Sequence, residues 1–343
     1  MPDVSVVIPV HNGGALLAEV LHALSRQTVA HELVICDSGS QDESVQIARR
    51  QGARVLEIAP ERFSHGGTRN MLVAAAAGSR VALLTQDATP SSERWLETLL
   101  EGFELAPDVA LVYGPYRPRP EAPSPVRIEL ESWFGSLSPD GLPRVERLAE
   151  QERRSLPAAA LIGRRGFFSD ANACIDRAAW ERTPFREIPY AEDRMLALDM
   201  LRAGHAKAYM PQAAVIHSHA YSTSQQLRRS FDEWRGLREV YGWREPASPR
   251  HLQSRLRGAL AQSWSALAAT AASPLERTRV LLAVACQQLA SLLGALLGSR
   301  ADRVPAGLRR RLSLEGRAGF APLEQASAAT QAERGPGSQS ALR

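Results

Sequence analysis

The chain has 343 residues, of which 44% are hydrophobic and 23% charged, enough for one large domain with an appendage. The formal net charge is +4. No nucleic-acid partner is expected, because the Arg residues do not alternate with aromatic residues. A mild basic excess equally fits an anionic membrane surface or nucleotide phosphates. Three cysteines, Cys36, Cys174 and Cys286, lie in largely apolar stretches, which predicts buried thiols in a reducing compartment.

The amino terminus, MPDVSVVIPV, enters a strand at once and has neither a basic segment nor a cleavage site. No signal peptide is therefore expected. No uninterrupted apolar run reaches the ~20 residues needed to span a bilayer. Together these features predict a cytoplasmic protein.

Strand-like and helix-like segments then alternate. Apolar runs typical of buried strands are VSVVIPV, HELVICD, ARVLEIA, RVALLT and VALVYGP, and segments with helical spacing lie between them. Ser40 and Glu43 have the spacing of a capping box at the start of the second helix. Repeated strand–helix units predict an α/β fold, a mostly parallel Rossmann-like sheet with helices on both faces. Such sheets bind ligands at the carboxyl ends of their strands.

The pattern weakens from Arg117 to about Ala158, where RPRPEAPSP begins a long excursion near the predicted site. Strand–helix alternation resumes at GFFSDANACIDRAAW, and the sequence is helical from Gln225 to about Arg300. The tail from about Ala318 is small and polar, which predicts disorder. The predicted divisions are an α/β domain (1–225), a helical appendage (226–300) and a largely disordered tail (301–343).

The last part of the appendage, Leu275 to Arg300, has apolar residues on more than one face and Arg residues near its ends. This pattern fits packing against the α/β domain or in a homodimer. It also fits an interfacial helix that lies on a membrane with Arg at the water side.

Two aspartates end predicted strands, Asp37 in VICDSGSQD and Asp87 in LLTQDATP. A carboxylate at Asp37 can accept hydrogen bonds from a nucleobase or ribose. One at Asp87 can hold Mg²⁺ or Mn²⁺ together with substrate phosphates. Each also fits an ordinary turn before a helix.

Asp193 and Glu192 are adjacent, so they do not share one helix face. With a helix starting near Ala191, both lie in its first turn, where the helix dipole favours negative charge. The alternative is that one of them is a general base.

His217 and His219 flank Ser218, and on a strand both imidazoles face the same way. They can bind metal or phosphate together, or be exposed strand histidines. In FSHGGTRN, Gly66 and Gly67 precede a predicted helix, whose N–H groups can hold a diphosphate with Arg69; a plain loop–helix junction has the same pattern.

Together these segments resemble a known family. VSVVIPVHN, LVICDSGSQDES, GGTRNMLVAAAAGSRVALLTQDATP and PYAEDRMLALDMLRAGHAKAYMPQAAVIHSHAYS are similar to the family 2 inverting glycosyltransferases of the GT-A fold. FSHGGTRN, LLTQDATP and HSHAYS are most similar to the bacterial rhamnosyltransferase branch. The resemblance covers about residues 3–225.

The resemblance implies a role for each matching position. The residues it places beside the nucleotide-sugar are Pro9, His11, Asn12, Asp37, Arg69, Gln86 and Asp87, with Asp37 at the base and Arg69 at the diphosphate. Asp193 matches the catalytic base, and Asp87 the last carboxylate of the Asp-X-Asp metal motif. His217 or His219 is implied as a further metal or diphosphate ligand. Many members have Asp at the positions of Thr85 and Ser38, so this chain has fewer carboxylate ligands.

The implied reaction moves a sugar to a hydroxyl of a glycan or lipid-linked acceptor in cell-surface polysaccharide synthesis, at the cytoplasmic face of the inner membrane. The predicted donor is dTDP-L-rhamnose and the cofactor Mg²⁺ or Mn²⁺. A UDP- or GDP-hexose donor is an alternative. A sugar nucleotidyltransferase needs a basic first loop, and PVHNGG contains no Lys or Arg. A non-catalytic binding protein fits the reduced metal motif but not the retained Glu192–Asp193 pair.

Overall fold

Eight strands form the central sheet of the computed structural model, which describes residues 3–188, 190–268 and 273–315. In chain order they are β1 (Val4–Val10), β2 (Glu32–Asp37), β3 (Arg54–Glu57), β4 (Arg80–Leu84), β6 (Val109–Tyr113), β8 (Arg144–Glu146), β9 (Asn172–Asp176) and β10 (Ala206–Tyr209). The spatial order is β3-β2-β1-β4-β9-β6-β10-β8. Six strands are parallel and β8 and β9 run the other way, so the predicted mostly parallel α/β sheet is confirmed.

The chain order reverses at β1, which pairs with β2 on one side and β4 on the other. The carboxyl ends of these three strands therefore surround one crevice. Because β9 is antiparallel to β4 and β6, its first residue lies at the edge of the sheet where those strands end.

A second, three-stranded sheet lies beside this edge. It consists of β5 (Thr89–Pro90), β7 (Tyr116–Arg117) and β11 (Val215–Ile216), in the order β5-β11-β7. Ile216 is in register with Thr89, so the residues after β11 lie opposite the residues before β5.

Helices cover the central sheet and form the appendage. They are α1 (Gly14–Ser25), α2 (Ser44–Arg50), α3 (His65–Ala75), α4 (Trp95–Glu101), α5 (Ser124–Leu137), α6 (Glu150–Ser155), α7 (Arg177–Arg182), α8 (Glu192–Ala203), α9 (Thr223–Tyr241), α10 (Pro249–Ala268), α11 (Pro274–Gly298) and α12 (Ala306–Leu312). Two separate hydrophobic clusters lie on the central strands, consistent with helices on both faces. The predicted capping box is wrong: α2 begins at Ser44, and the Ser40 hydroxyl accepts the Asn12 N–H instead, at 2.8 Å.

The weakly periodic stretch after Arg117 is not without regular structure. It contains α5, β8 and α6, and β8 completes the edge of the central sheet by pairing with β10. Helix α5 packs through Phe134 against Tyr116, with ring centroids 4.8 Å apart. The stretch therefore belongs to the wall of the site as well as to the sheet.

The appendage packs on the α/β domain through α9, which contacts α8 on one side and α11 on the other. At the α9–α11 contact, an added Cβ at Gly294 would lie 2.3 Å from the Leu227 carbonyl oxygen, and one at Gly298 would lie 2.2 Å from that of Phe231. Only glycine allows the two helix backbones to approach this closely.

The predicted tail boundary at residue 301 is too early. Residues 306–312 form α12, and residues 313–315, here called the closing segment, are held against α9. The Arg228 guanidinium donates to the Ser313 carbonyl oxygen at 2.6 Å, and the Leu314 N–H donates to Asp232 Oδ2 at 2.7 Å. Residues 316–343, on which the rest of the predicted disordered tail falls, lie outside the described residues.

Two predictions from composition need correction. Cys36 and Cys174 are buried as expected, but Cys286 is exposed on α11. Helix α11 is also long and apolar enough, by length and composition, to cross a membrane, with a mean hydropathy of 2.0 over its best 18-residue window. The helix was missed in the sequence because Gln287 and Gln288 interrupt its apolar run. The hydropathy averaged over 18 residues stays high in spite of these two residues. One such helix is weak evidence for a span.

Candidate active site

The loops after β1 and β2 form the first part of the site. Asp37 ends β2 beside Val10, and its Oδ2 accepts the N–H groups of Gly39 and Ser40, each at 3.0 Å. Its other oxygen, Oδ1, is buried and has no hydrogen-bond partner among the described residues. Burying a carboxylate oxygen without a hydrogen-bond donor costs free energy, and a donor group of a bound ligand would remove that cost.

The loop after β1 carries the other predicted nucleotide neighbours. Pro9 is in β1, in register with Cys36, and His11 and Asn12 follow the strand. Asn12 has a left-handed backbone with φ 51°, and its side-chain oxygen accepts the Gln41 N–H at 2.8 Å. The asparagine thus ties the loop after β1 to the loop after β2.

Gln86 connects this loop to the residues after β4. Its Oε1 accepts the His11 N–H at 2.8 Å, and its Nε2 donates to the His11 carbonyl oxygen at 3.1 Å. Both polar groups of the side chain therefore position the main chain of His11. The predicted contact of Gln86 with the nucleotide-sugar stays a prediction.

Asp87, His217 and His219 form a cluster at the neighbouring strand ends. His217 Nδ1 lies 3.5 Å from Asp87 Oδ1, and His219 Nε2 lies 3.4 Å from Asp87 Oδ2. Neither histidine is within a strand, because β11 ends at Ile216. The register of β11 with β5 explains why they nevertheless meet the aspartate.

This cluster has the donor set of a metal site. One ligand atom from each of the three residues lies within 4.8 Å of the others. Burial lowers the pKa of His217, although Asp87 opposes the shift, and a neutral imidazole is the form that binds metal. Thr85 lines the same cavity, and its buried Oγ1 has no hydrogen-bond partner among the described residues. The residues present therefore fit a divalent cation.

Asp193 lies in the first turn of α8, as predicted. The preceding residue, Ala191, has a left-handed backbone with φ 65°, an uncommon conformation for a residue with a Cβ. Asp193 Oδ1 accepts the N–H of Arg194 at 2.7 Å. Burial, with a smaller contribution from the nearby Asp170, raises the pKa of Asp193 to about 6. A carboxylate with that pKa can accept a proton near neutral pH.

Glu192, next to the aspartate, belongs to a buried ion network. The Arg69 guanidinium pairs with both oxygens of Asp170, with Nη2 2.9 Å from Oδ1, and its Nη1 lies 3.2 Å from Glu192 Oε1. Burial also raises the pKa of Asp170, although Arg69 opposes the shift. Because Arg69 already holds two carboxylates, its predicted contact with a diphosphate stays a prediction.

The predicted diphosphate cradle at Gly66 and Gly67 is wrong in its geometry. Helix α3 begins at His65, so both glycines are inside its first turn, and the Gly67 N–H donates to Ser64 Oγ at 3.1 Å. An added Cβ at Gly66 would lie 2.3 Å from the Arg186 carbonyl oxygen. The glycines permit this close approach of residue 186, which covers the helix terminus.

One cavity of about 450 Å³ joins the metal-type cluster to the carboxylate turn of α8. Its lining includes Asp87, Arg69, Asp193, His217 and His219. The closing segment also lines it, through Leu314 and Glu315, and Glu315 Oε1 lies 3.1 Å from His65 Nε2. Asp170, Tyr116 and Glu315 are lining residues that the sequence patterns did not identify.

Comparisons with known proteins identify the family. The family model described as "Glycosyl transferase family 2" matches residues 5–168. The O-antigen chain rhamnosyltransferase RfbN of Salmonella typhimurium is 32% identical over 235 residues, which cover 67% of this chain and 70% of that protein. The chain belongs to glycosyl transferase family 2.

A second relative of this glycosyltransferase is the O-antigen chain rhamnosyltransferase WbaN of Salmonella anatum, 33% identical over 241 residues, 68% of this chain and 71% of that one. Among solved structures, the mannosyltransferase PcManGT from Pyrobaculum calidifontis in complex with GDP-Man and Mn²⁺ has a TM-score of 0.55. It is 19% identical and the match covers 88% of each chain, so the shared feature is the fold. The predicted family and the GT-A fold are confirmed.

Proposed function

We propose that this glycosyltransferase moves L-rhamnose from dTDP-L-rhamnose to a hydroxyl of a glycan or lipid-linked acceptor in cell-surface polysaccharide synthesis. Both rhamnosyltransferase relatives support the sugar, since each matches about two thirds of the chain. The observation that carries the reaction type is the shared cavity, which brings Asp193 together with the Asp87–His217–His219 cluster. A UDP- or GDP-hexose donor is the alternative.

Asp37 reads the nucleotide base in this proposal. The imino N–H of thymine or uracil is a donor for the free Oδ1 of the aspartate. The Gly39 and Ser40 N–H groups hold Oδ2 and so fix the direction of the free oxygen. In this proposal Oδ1 of Asp37 binds the base, while Oδ2 is held by the main chain.

Asp193 takes the proton from the acceptor hydroxyl as that oxygen attacks the anomeric carbon. The attack comes from the face opposite the leaving nucleoside diphosphate, so the configuration inverts and one carboxylate suffices. A glycosidase usually needs two carboxylates beside the scissile bond. Asp87, His217 and His219 would hold a divalent cation, which when bound supplies a Lewis acid for the charge on the departing diphosphate. Two imidazoles with one carboxylate favour Mn²⁺ over Mg²⁺.

A donor screen tests the function. The protein is incubated with dTDP-L-rhamnose, UDP-glucose, UDP-galactose or GDP-mannose, with and without Mn²⁺, and release of nucleoside diphosphate is measured. The expected result is Mn²⁺-dependent release from dTDP-L-rhamnose well above that from the other donors. Release from a UDP- or GDP-hexose instead would replace the donor. No release and no nucleotide binding would overturn the proposed enzyme activity.

The appendage supports a further part of the proposal, contact of this cytoplasmic enzyme with the inner membrane. Leu275, Leu282 and Leu289 are spaced seven residues apart on α11, and each exposes more than half of its surface. Trp264 on α10 is also more than half exposed. Arg277 and Arg279 lie near the start of α11, where they can face anionic headgroups.

Co-sedimentation with phosphatidylglycerol vesicles tests the membrane contact. Introducing Leu282→Glu and Leu289→Glu together is expected to reduce pelleting of the full chain. Leu142→Glu is the control, because Leu142 is 57% exposed and lies in a loop of the α/β domain. Equal pelleting of both variants would count against the membrane contact. A fall in molar mass by light scattering, without a change in pelleting, would assign the leucine face to a homodimer.

A further inference from the structure

A second cleft opens from the catalytic cavity. It has a volume of about 550 Å³ and shares Tyr116, Phe167, Arg194, His217, His219 and Tyr221 with that cavity. From the cluster it extends between α5, α9 and α11, and its lining includes no residue of the loops around Asp37. A molecule seated in the cleft would therefore reach the catalytic cavity from the appendage.

The cleft is lined by flat aromatic rings. Trp133 of α5 packs edge-on against Phe167, with ring centroids 5.2 Å apart. Trp234 of α9 is partly buried and packs against a hydrophobic cluster that includes Leu237. Tyr221 stacks on His219 at 5.4 Å with an interplanar angle of 20°. Each ring is thus held by a neighbour while it also borders the cleft.

Neutral polar groups line the other side. Gln287 and Gln288 of α11 border the cleft with Ser291, and Gln226 Nε2 donates to Ser291 Oγ at 2.8 Å. Amides and hydroxyls both donate and accept hydrogen bonds. Gln287 and Gln288 therefore place two amides of a mostly apolar helix at the border of the cleft.

Aromatic rings opposite neutral amides match the chemistry of a saccharide. A sugar ring presents C–H groups on its flat faces, which pack on aromatic side chains, and hydroxyls around its edge, which pair with amides. The charged lining residues include both signs, Arg229 and Arg255 with Glu129 and Glu233, so the cleft does not select a polyanion. Its volume lies within the range of about 300–1,000 Å³ typical of small-molecule sites.

We propose that this cleft binds acceptor sugar residues beyond the one that is modified, so that the preferred acceptor is a saccharide of at least two residues. The proposal rests on the proposed function, because it takes the catalytic cavity as the place of transfer. It adds Trp133, Trp234, Gln287 and Gln288 as residues that determine acceptor specificity.

Kinetics with acceptors of two lengths test the cleft. The probes are octyl glycosides of single hexoses and 6-deoxyhexoses and of disaccharides built from them, with release of nucleoside diphosphate as the readout. The expected result is a lower KM for a disaccharide than for its matching monosaccharide. Gln287→Ala and Trp133→Ala should each raise the KM of the disaccharide about tenfold and leave the KM of the monosaccharide and acceptor-free donor hydrolysis unchanged.

Gln253→Ala is the matched control, since Gln253 is an exposed amide on α10 that does not line the cleft. Equal KM values for the two acceptor lengths, or equal effects of a cleft variant on both, would overturn the proposal.

If no probe is glycosylated, saturation-transfer NMR measures binding of the same disaccharides directly. Donor hydrolysis without binding of any disaccharide would overturn the proposal for the cleft and leave the proposed function intact. Disaccharide binding without nucleotide binding or hydrolysis would instead overturn the proposed function.

Discussion

His65 Nε2 lies 3.1 Å from Glu315 Oε1, across 250 residues of sequence. The other imidazole nitrogen lies 3.9 Å from Glu192 Oε1, next to the proposed base. The histidine therefore connects the closing segment to the carboxylate turn of α8. Burial alone would lower the pKa of His65, but Glu192 and Glu315 reverse the effect and raise it.

Replacement of Glu315 is expected to lower the pKa of His65. Glu315→Gln removes one of the two negative charges that raise the pKa of His65 and keeps the size of the side chain, so that pKa should fall. The measurement is an NMR titration of the His65 imidazole. Glu104→Gln, at an exposed position outside the cavity, is the control and should leave the value unchanged. An unchanged His65 pKa in Glu315→Gln would mean that the closing segment does not hold this contact in solution.

Asp193→Asn should nearly abolish transfer and spare donor binding. Loss of a general base costs about 10²–10⁴ in rate, and the amide cannot take the proton. Transfer is measured as sugar incorporation, and donor affinity by calorimetry with dTDP-L-rhamnose. Asp199→Asn is the control from the same helix, since Asp199 pairs with Arg186 and does not line the cavity. Wild-type turnover in Asp193→Asn would show that another group is the base.

The activity of the wild-type enzyme should rise with pH through about 6. The base works as a carboxylate, and burial together with Asp170 raises the pKa of Asp193 to about 6, so kcat/KM is low below that pH and levels off above it. Asp170→Asn removes a negative neighbour and should move the midpoint to lower pH.

The shift of the pH midpoint in Asp170→Asn is informative only if the variant is folded. Breaking the buried Asp170–Arg69 pair costs about 3–5 kcal/mol of the free energy of unfolding, so the profile is recorded with the thermal midpoint of the same sample. A folded Asp170→Asn enzyme with an unshifted or higher midpoint would contradict the assignment of Asp193 as the titrating base.

The metal-type cluster should bind Mn²⁺ through all three of its side chains. His217→Ala and His219→Ala are each expected to weaken Mn²⁺ binding about tenfold or more, measured by electron paramagnetic resonance without nucleotide. His22→Ala, on the surface of α1, is the control. Weak binding in the wild type that tightens only with dTDP would show instead that the donor diphosphate supplies most ligands.

Asp37→Asn should weaken binding of dTDP. The N–H groups of Gly39 and Ser40 require an oxygen, so the asparagine is forced to direct its NH₂ group at the base. Two donors would then face each other where a charged hydrogen bond had been, a loss of about 1.5–3 kcal/mol, or roughly 10–150-fold in Kd. Calorimetry with dTDP measures it, and Asp42→Asn in the next turn is the control. Unchanged affinity would place the base elsewhere.

The proposed nucleotide half of the site can be predicted from the sequence because its signals are local. Asp37 ends β2 and Asp87 follows β4 by three residues, and parallel strands end at a common edge, so the pattern alone places both aspartates at that edge. Asp170 was not found by the same logic, because it precedes its strand. Only the antiparallel direction of β9 moves the start of that strand to the active edge, and direction is set by pairing with β4 and β6.

The proposed acceptor half depends on long-range contacts that no local sequence pattern indicates. Glu315 reaches the cavity because Asp232 and Arg228 bind the main chain of the closing segment. The sequence shows that Gln287 and Gln288 interrupt the apolar pattern of α11. It does not show that they border a cleft, because that depends on where α5 and α9 pack. The histidine pair was found by a strand argument, although its convergence arises from the register of β11 with β5.

The closing segment also bears on how the molecule is made. A chain leaves the ribosome amino terminus first, and its early parts can fold while later parts are still being synthesised. The central sheet needs nothing after Tyr209, so it can form while the appendage is absent. The lining of the catalytic cavity, however, is complete only when residues 313–315 have left the ribosome and packed on α9. If the proposed function holds, a nascent chain would be able to bind nucleotide before the catalytic cavity is closed by residues 313–315.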